Sequence, residues 1–487
     1  MPVSTREPGD TRLGPSSAAA PHVSARIRAC ISPSRLIQCL TATRCAAALI
    51  LLCLALHTAR ADQVNILFVG NSITHGRYDP ALNYNAGPGD APGNNVVHDL
   101  LCPSLPCSGA EAGPQVTPTS SNTPGGTVAA QLQYLQGNPS AQYNEVGPFS
   151  GVAGIFLQFT EDAGLDYNVS IIAVSSATLT GYANNSSSGN ESGDLPLIEN
   201  AKYNQVVLQD QTFQPLPASI TVNGQSVPTR GDPASFDSGV SRLVTDIDKA
   251  DAKAGKPNAA ITLDETPPLA AYGYTSSNPN EPIFGTSTVA QQGGNKAYAP
   301  YVGDPNPIAA MASDLHNAYE TAASLYNTAN PAGSHVSVAL SGDAWVSAIN
   351  MGIAQQDPFL LSEPAGQVDL WDSNPYLACC ETPIGYHPSV YGDYLNALVL
   401  FGQITGINPT TLVSEFDSSN PEYDTSASDA LGISAPIAYE LAVAAEDTLQ
   451  NDGPVPEPAS LALLAPGALA LPLLRCCRSP RRRQTPR

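Results

Sequence analysis

Residues 63–74 read QVNILFVGNSIT, and the first seven of them decide the fold. The run 63–69 is apolar with little alternation, so both of its faces must be covered. That is the pattern of a central strand in a parallel sheet, which has helices on each side. Runs of the same kind recur at 168–174 (NVSIIAV), 205–208 (QVVL), 259–263 and 335–340. Stretches with helical spacing lie between and after them, at 151–163, 237–254, 307–328, 343–354 and 389–405. Strands alternating with helices predict an α/β fold around a central parallel sheet. Residues 79–127 and 266–306 are rich in Pro, Gly and Asn and read as long surface insertions. Residues 409–453 read as a helical appendage followed by a linker.

Composition narrows the class. The chain has 487 residues, of which 42% are hydrophobic and only 13% charged, so a full core can be built. Charge is unevenly placed: residues 62–458 hold 8 basic and 41 acidic side chains, a net charge near −33. Such a body repels nucleic acid and anionic lipid, which excludes both as partners of the central region. Of the ten cysteines, Cys102, Cys107, Cys379 and Cys380 fall in that region. A Cys102–Cys107 bridge would close a small loop around Pro103 and Pro106. No Cys or His spacing suits a metal, so neither metal nor cofactor is expected.

The two ends carry most of the positive charge. Residues 46–56 (AAALILLCLAL) follow Arg26, Arg28, Arg35 and Arg44 and precede Ala59-Arg60-Ala61. This is the pattern of a secretory signal cleaved before Asp62, and it predicts export. At the far end, Val455-Pro456-Glu457-Pro458 precedes an apolar stretch, 459–474, and then Arg475, Arg478 and Arg481 to Arg483. Sixteen residues rise about 24 Å as a helix, a marginal membrane span. The three parts in this order resemble the PEP-CTERM sorting signal of Gram-negative bacteria. The resemblance implies an exosortase-type partner that cuts near Pro-Glu-Pro. It also implies transient membrane contact through 459–474, and residence in the cell envelope or outside the cell. The expected organisation is a leader (1–61), a main domain (62–408), the appendage (409–453) and the sorting signal (454–487).

Two elements suggest chemistry. Ligands of an open parallel sheet bind at the carboxyl ends of its strands. The first strand ends in Gly70-Asn71-Ser72, a turn that can present a hydroxyl beside backbone N–H groups. His387, in Gly385-Tyr386-His387-Pro388-Ser389, stands on a loop just before the helical stripe Val390, Tyr394, Leu395, Leu398 and Val399. Of the five histidines after the leader it has the best setting for a general base.

Gly70-Asn71-Ser72 and His387-Pro388, at opposite ends of the main domain, resemble the SGNH (GDSL-like) hydrolases. The resemblance covers about residues 63–406. It implies a flavodoxin-like three-layer sandwich, with Ser72 as nucleophile and His387 as its base. It also implies an oxyanion hole from the Ser72 N–H, an N–H near Ser176 or Ala177, and the Gln209 side chain, which stands where the family has asparagine. The family's acid lies three residues before the histidine, where this chain has Ile384. Three readings stay open: Glu381 supplies the carboxylate, Asp343 supplies it, or the pair works as a dyad. The expected function is cleavage of an ester, with acyl groups on extracellular polysaccharide as the natural substrate. The alternative is a non-catalytic surface or matrix protein that keeps the fold and binds glycan.

Overall fold

The computed structural model describes residues 63–77, 80–93, 95–102, 104, 147–184, 194–274, 299–358, 366–372, 385–412 and 426–451. The leader, most of the two insertions, Glu381 and the sorting signal lie outside the described residues. Cys102 is disulfide-bonded, and its partner also lies outside them.

The sheet has seven strands, all paired in parallel. In chain order they are β1 (Val64–Gly70), β2 (Ala86–Pro88), β3 (Val97–Asp99), β4 (Tyr167–Ala173), β5 (Gln205–Leu208), β8 (Ala260–Asp264) and β9 (Val336–Ala339). Between β5 and β8 comes a separate antiparallel hairpin, β6 (Ser219–Val222) and β7 (Gln225–Pro228). The spatial order is β2-β3-β4-β1-β5-β8-β9. Its five longer strands follow the flavodoxin order 2-1-3-4-5, so the expected three-layer α/β architecture is the one observed. The order reverses between β1 and β5, which pair in register from Ile66–Gln205 to Val69–Leu208.

Both faces of β1 are covered, as its unbroken apolar run requires. Ile66 and Phe68 pack with α1 (Val152–Asp162), α7 (Ser341–Asn350) and α8 (Val390–Thr405). Leu67 and Val69 pack on the other face with α2 (Leu179–Asn184), α4 (Pro233–Ala254) and α6 (Pro307–Ala329). Two single-turn helices, α3 (Leu195–Ile198) and α5 (Ala270–Gly273), lie in the connections before β5 and after β8.

The structure adds to or departs from these expectations in three places. Part of the first insertion is not loop: β2 and β3 extend the sheet edge, but three-residue strands show no periodicity. The β6–β7 hairpin turns at Asn223-Gly224, both with positive φ (51° and 75°). That is the Asn-Gly hairpin signal, present in SITVNGQSVP but not recognised there. The third concerns the appendage. α9 (Ser426–Leu431) and α10 (Ala435–Asn451) are not peripheral. Ala438, Leu441, Ala442, Ala444 and Ala445 are fully buried in the same core as α1 and α8. Alanines let α10 approach α7 and α8 closely, and their weak apolar contrast hides the buried face in the sequence. Among the described residues, no helix is long and apolar enough to cross a membrane.

Candidate active site

The turn after β1 is built around the absence of a side chain at Gly70. A Cβ there would lie 1.9 Å from Thr74 Oγ1. The chain therefore folds straight back, and the Asn71 carbonyl accepts the N–H groups of Thr74 (2.9 Å) and His75 (3.1 Å). The Asn71 side chain closes the turn from within. Its Oδ1 accepts from Ile73 N–H (3.1 Å) and its Nδ2 donates to the Ala177 carbonyl (3.2 Å). Ser72 is left at the crest, at the carboxyl end of β1 and beside the reversal of strand order, where ligands of such sheets bind.

His387 arrives from the other end of the chain. The strip 385–389 lies antiparallel to 370–372. Asp372 N–H donates to the His387 carbonyl (2.9 Å) and Ser389 N–H to that of Leu370 (2.8 Å). Trp371 anchors the strip: its ring is buried, its Nε1–H donates to the Pro268 carbonyl at 2.8 Å, and it stands edge-on to Trp345 at 4.9 Å. Ser389 then caps α8, its Oγ accepting from Tyr391 N–H (3.2 Å) and Gly392 N–H (3.5 Å).

The outcome is a contact of 3.0 Å between Ser72 Oγ and His387 Nε2, both side chains buried. Burial pushes the His387 imidazole well below the ordinary histidine range, and the Arg77 guanidinium and His75 push it further the same way. The neutral ring can then accept the Ser72 hydroxyl proton at Nε2. Arg77 Nη1 stands 3.4 Å from that same nitrogen. His75 is stacked on Phe149 at 4.5 Å, with Nε2 3.3 Å from Ser175 Oγ.

The remaining expected site residues are placed differently. Gln209 is fully buried inside the turn. Its Oε1 accepts from Thr74 Oγ1 (2.8 Å) and Asn71 N–H (3.3 Å), and its Nε2 donates to the Asp210 carbonyl. Instead of presenting an amide to a ligand, it holds the turn that carries Ser72. Ala177 N–H is spent on the Val174 carbonyl at 2.9 Å. Ser176, one residue earlier, has φ 67° and is exposed. It is a serine in the left-handed conformation that glycine adopts freely. Among the described residues, no hydrogen bond takes the N–H of Ser72 or of Ser176. Asp343, in the first turn of α7, is committed elsewhere. Its Oδ2 lies 2.6 Å from His316 Nδ1, and its N–H donates to buried Glu265 at 3.2 Å. Burial, and then the Asp343 charge, raise the Glu265 carboxyl well above its usual range.

Sequence reasoning passed over Arg77. Its scarcity was the available signal: it is one of eight basic residues in 62–458 and lies five positions after Ser72.

No protein-family model matches the chain, and no curated protein matches it. Three solved structures show a distant likeness. One is a DUF4886 family protein from Bacteroides uniformis: TM-score 0.38 and 12% identity, over 81% of this chain and 98% of that one. Another is a carbohydrate acetylesterase from Sinorhizobium meliloti: TM-score 0.29 and 11% identity, over 80% and 98%. A third is an aryl esterase of M. smegmatis: TM-score 0.32 and 12% identity, over 70% and 98%.

Proposed function

We propose that this chain is an exported serine hydrolase that cleaves a carboxylic ester, with acyl groups on extracellular polysaccharide as substrate. The observation that carries the reading is the 3.0 Å contact between Ser72 Oγ and a neutral His387 at the carboxyl end of β1. In the first half-reaction His387 Nε2 takes the Ser72 proton as Oγ bonds to the acyl carbon. The ester C–O bond then breaks, and the departing alcohol oxygen takes the proton back from Nε2. In the second half-reaction water attacks the acyl-serine with the same base, and the acid leaves. The N–H groups of Ser72 and Ser176 are the donors offered to the oxyanion, a role that requires no particular side chain. The leader accounts for export. The C-terminal segment accounts for a temporary hold on the membrane before an exosortase-type enzyme cuts it.

The test is labelling by a fluorophosphonate probe, which reports an activated serine without knowledge of the substrate. The secreted protein is expected to label and Ser72→Ala is not. Equal labelling of both, or of neither, overturns the reading.

A further inference from the structure

The helices α6, α7 and α10 border an open cavity of about 470 Å³. No residue of the Ser72 turn or of the His387 strip lines it. Asp343, one of the carboxylates expected beside His387, lines this cavity instead. The volume falls within the range of ordinary small-ligand sites, about 300–1,000 Å³. Much of the polar lining is already fixed. Asp447 on α10 accepts from Ser347 Oγ on α7 (2.9 Å) and from Asn451 Nδ2 (2.8 Å). His316 on α6 holds Asp343 on α7 through Nδ1 at 2.6 Å. Side chains held in this way lose little freedom when a ligand arrives. Among the described residues, no hydrogen bond takes three other lining groups: the Ser313 hydroxyl, His316 Nε2 and the Asn350 side-chain amide. Ala312, Val346 and Met351 add an apolar strip to the wall.

The lining also selects by charge. It holds two carboxylates, Asp343 and Asp447, and neither Lys nor Arg. α7 and α10 bring their carboxyl ends to it, at Asn350 and Asn451, and such ends carry partial negative charge. An anionic ligand is therefore opposed, and one rich in O–H or N–H donors is favoured. A sugar ring presents such donors along its edge and C–H groups on its faces. The edge suits the carboxylates and amides, and a face suits the strip of Ala312, Val346 and Met351. We propose that this cavity binds a neutral or amino sugar unit of a polysaccharide. The inference goes beyond the hydrolase reading, because Ser72 takes no part in it. Joined to that reading, it gives the enzyme a second hold on a glycan chain.

The experiment titrates the secreted protein with the methyl glycosides of glucose, galactose and mannose, with glucosamine and with glucuronic acid, read by calorimetry. None of these carries a carboxylic ester, so hydrolysis does not enter. At least one neutral or amino sugar is expected to bind with a Kd of about 1 mM or below, and glucuronic acid about tenfold more weakly or not at all. The sugar that binds shows whether the unit is neutral or amino. Asn350→Ala and Asp447→Asn should each weaken binding by about tenfold, the scale of one hydrogen bond. Asn350 is exposed, so its variant still decides the question if Asp447→Asn folds poorly. Fluorophosphonate labelling of Ser72 should be unchanged in Asn350→Ala, and sugar binding unchanged in Ser72→Ala. The inference is overturned by no binding of any neutral or amino sugar, by equal binding of glucuronic acid, by binding that neither cavity variant weakens, or by binding lost in Ser72→Ala. None of these results touches the hydrolase reading, which stands or falls on the labelling.

Discussion

Ser72 Oγ and His387 Nε2 are 3.0 Å apart in space and 315 residues apart in the chain. A serine hydroxyl is a weak nucleophile until a neighbouring base shares its proton, so each residue depends on the other. Ser72→Ala and His387→Ala are each expected to lower kcat/KM for an ester by about a thousandfold or more, and the double variant little further. Initial rates of the three proteins on one ester check this. Additive losses would mean that the two side chains act independently.

The acidity of His387 sets the pH range. A base works when unprotonated, so activity falls as pH drops through its pKa. Burial, Arg77 and His75 place that value well below the usual 6.5. kcat/KM should therefore be level across neutral pH and fall only well to the acid side of 6.5. Arg77→Gln removes one of the depressing charges and should move the acid limb to higher pH. An unmoved limb in a pH–rate profile would count against the contact.

Gln209 tests the turn itself. Gln209→Leu leaves the Asn71 N–H and the Thr74 hydroxyl without their buried acceptor. A loss of about 1–3 kcal/mol in unfolding free energy is expected for an abandoned buried donor. Denaturant unfolding measures it, and fluorophosphonate labelling should slow in parallel because the same turn carries Ser72.

At Ser176 the left-handed backbone (φ 67°) predicts opposite results for two substitutions. Ser176→Gly relieves a conformation that costs a side chain about 1–2 kcal/mol, so the melting temperature should rise while esterase activity persists. Ser176→Pro demands a φ near −65° and removes the N–H, so activity should be lost.

Asp264 contributes a pH-dependent term to stability. It is fully buried, with its Oδ1 accepting from Ser341 Oγ at 2.7 Å, and burial raises its carboxyl to about 7 from 3.8. The folded state holds this proton more tightly than the unfolded state. Its contribution is therefore complete below about 3.8 and is lost as pH rises through about 7. The slope is at most about 1.4 kcal/mol per pH unit. Asp264→Asn should flatten the fall in stability between pH 5 and pH 8, as read from denaturant midpoints.

Legibility in the sequence followed burial. The central strands were readable because a sheet covered on both faces leaves an unbroken apolar run, as at Ile66 to Val69. β2 and β3 were not, because strands of three residues, Ala86-Gly87-Pro88 and Val97-His98-Asp99, are too short to show a period. α10 was misplaced because alanine, the residue that lets helices pack closest, also contributes least apolar contrast. In the site, Ser72 was legible through the local glycine-serine turn. The role of Gln209 was not, because whether an amide faces a ligand or the turn behind it depends on where Asn71 and Thr74 fold.

By itself the sequence determined the α/β class, the strongly acidic central region and the local turn that lifts Ser72, since each depends on near neighbours or on composition. Only the tertiary structure decided that His387 meets Ser72, that Asp343 lies against His316 and that Arg77 faces His387 Nε2. Those pairings span 27 to 315 residues. They join residues on separate loops and helices that meet only in the packed fold, a juxtaposition that no local pattern encodes.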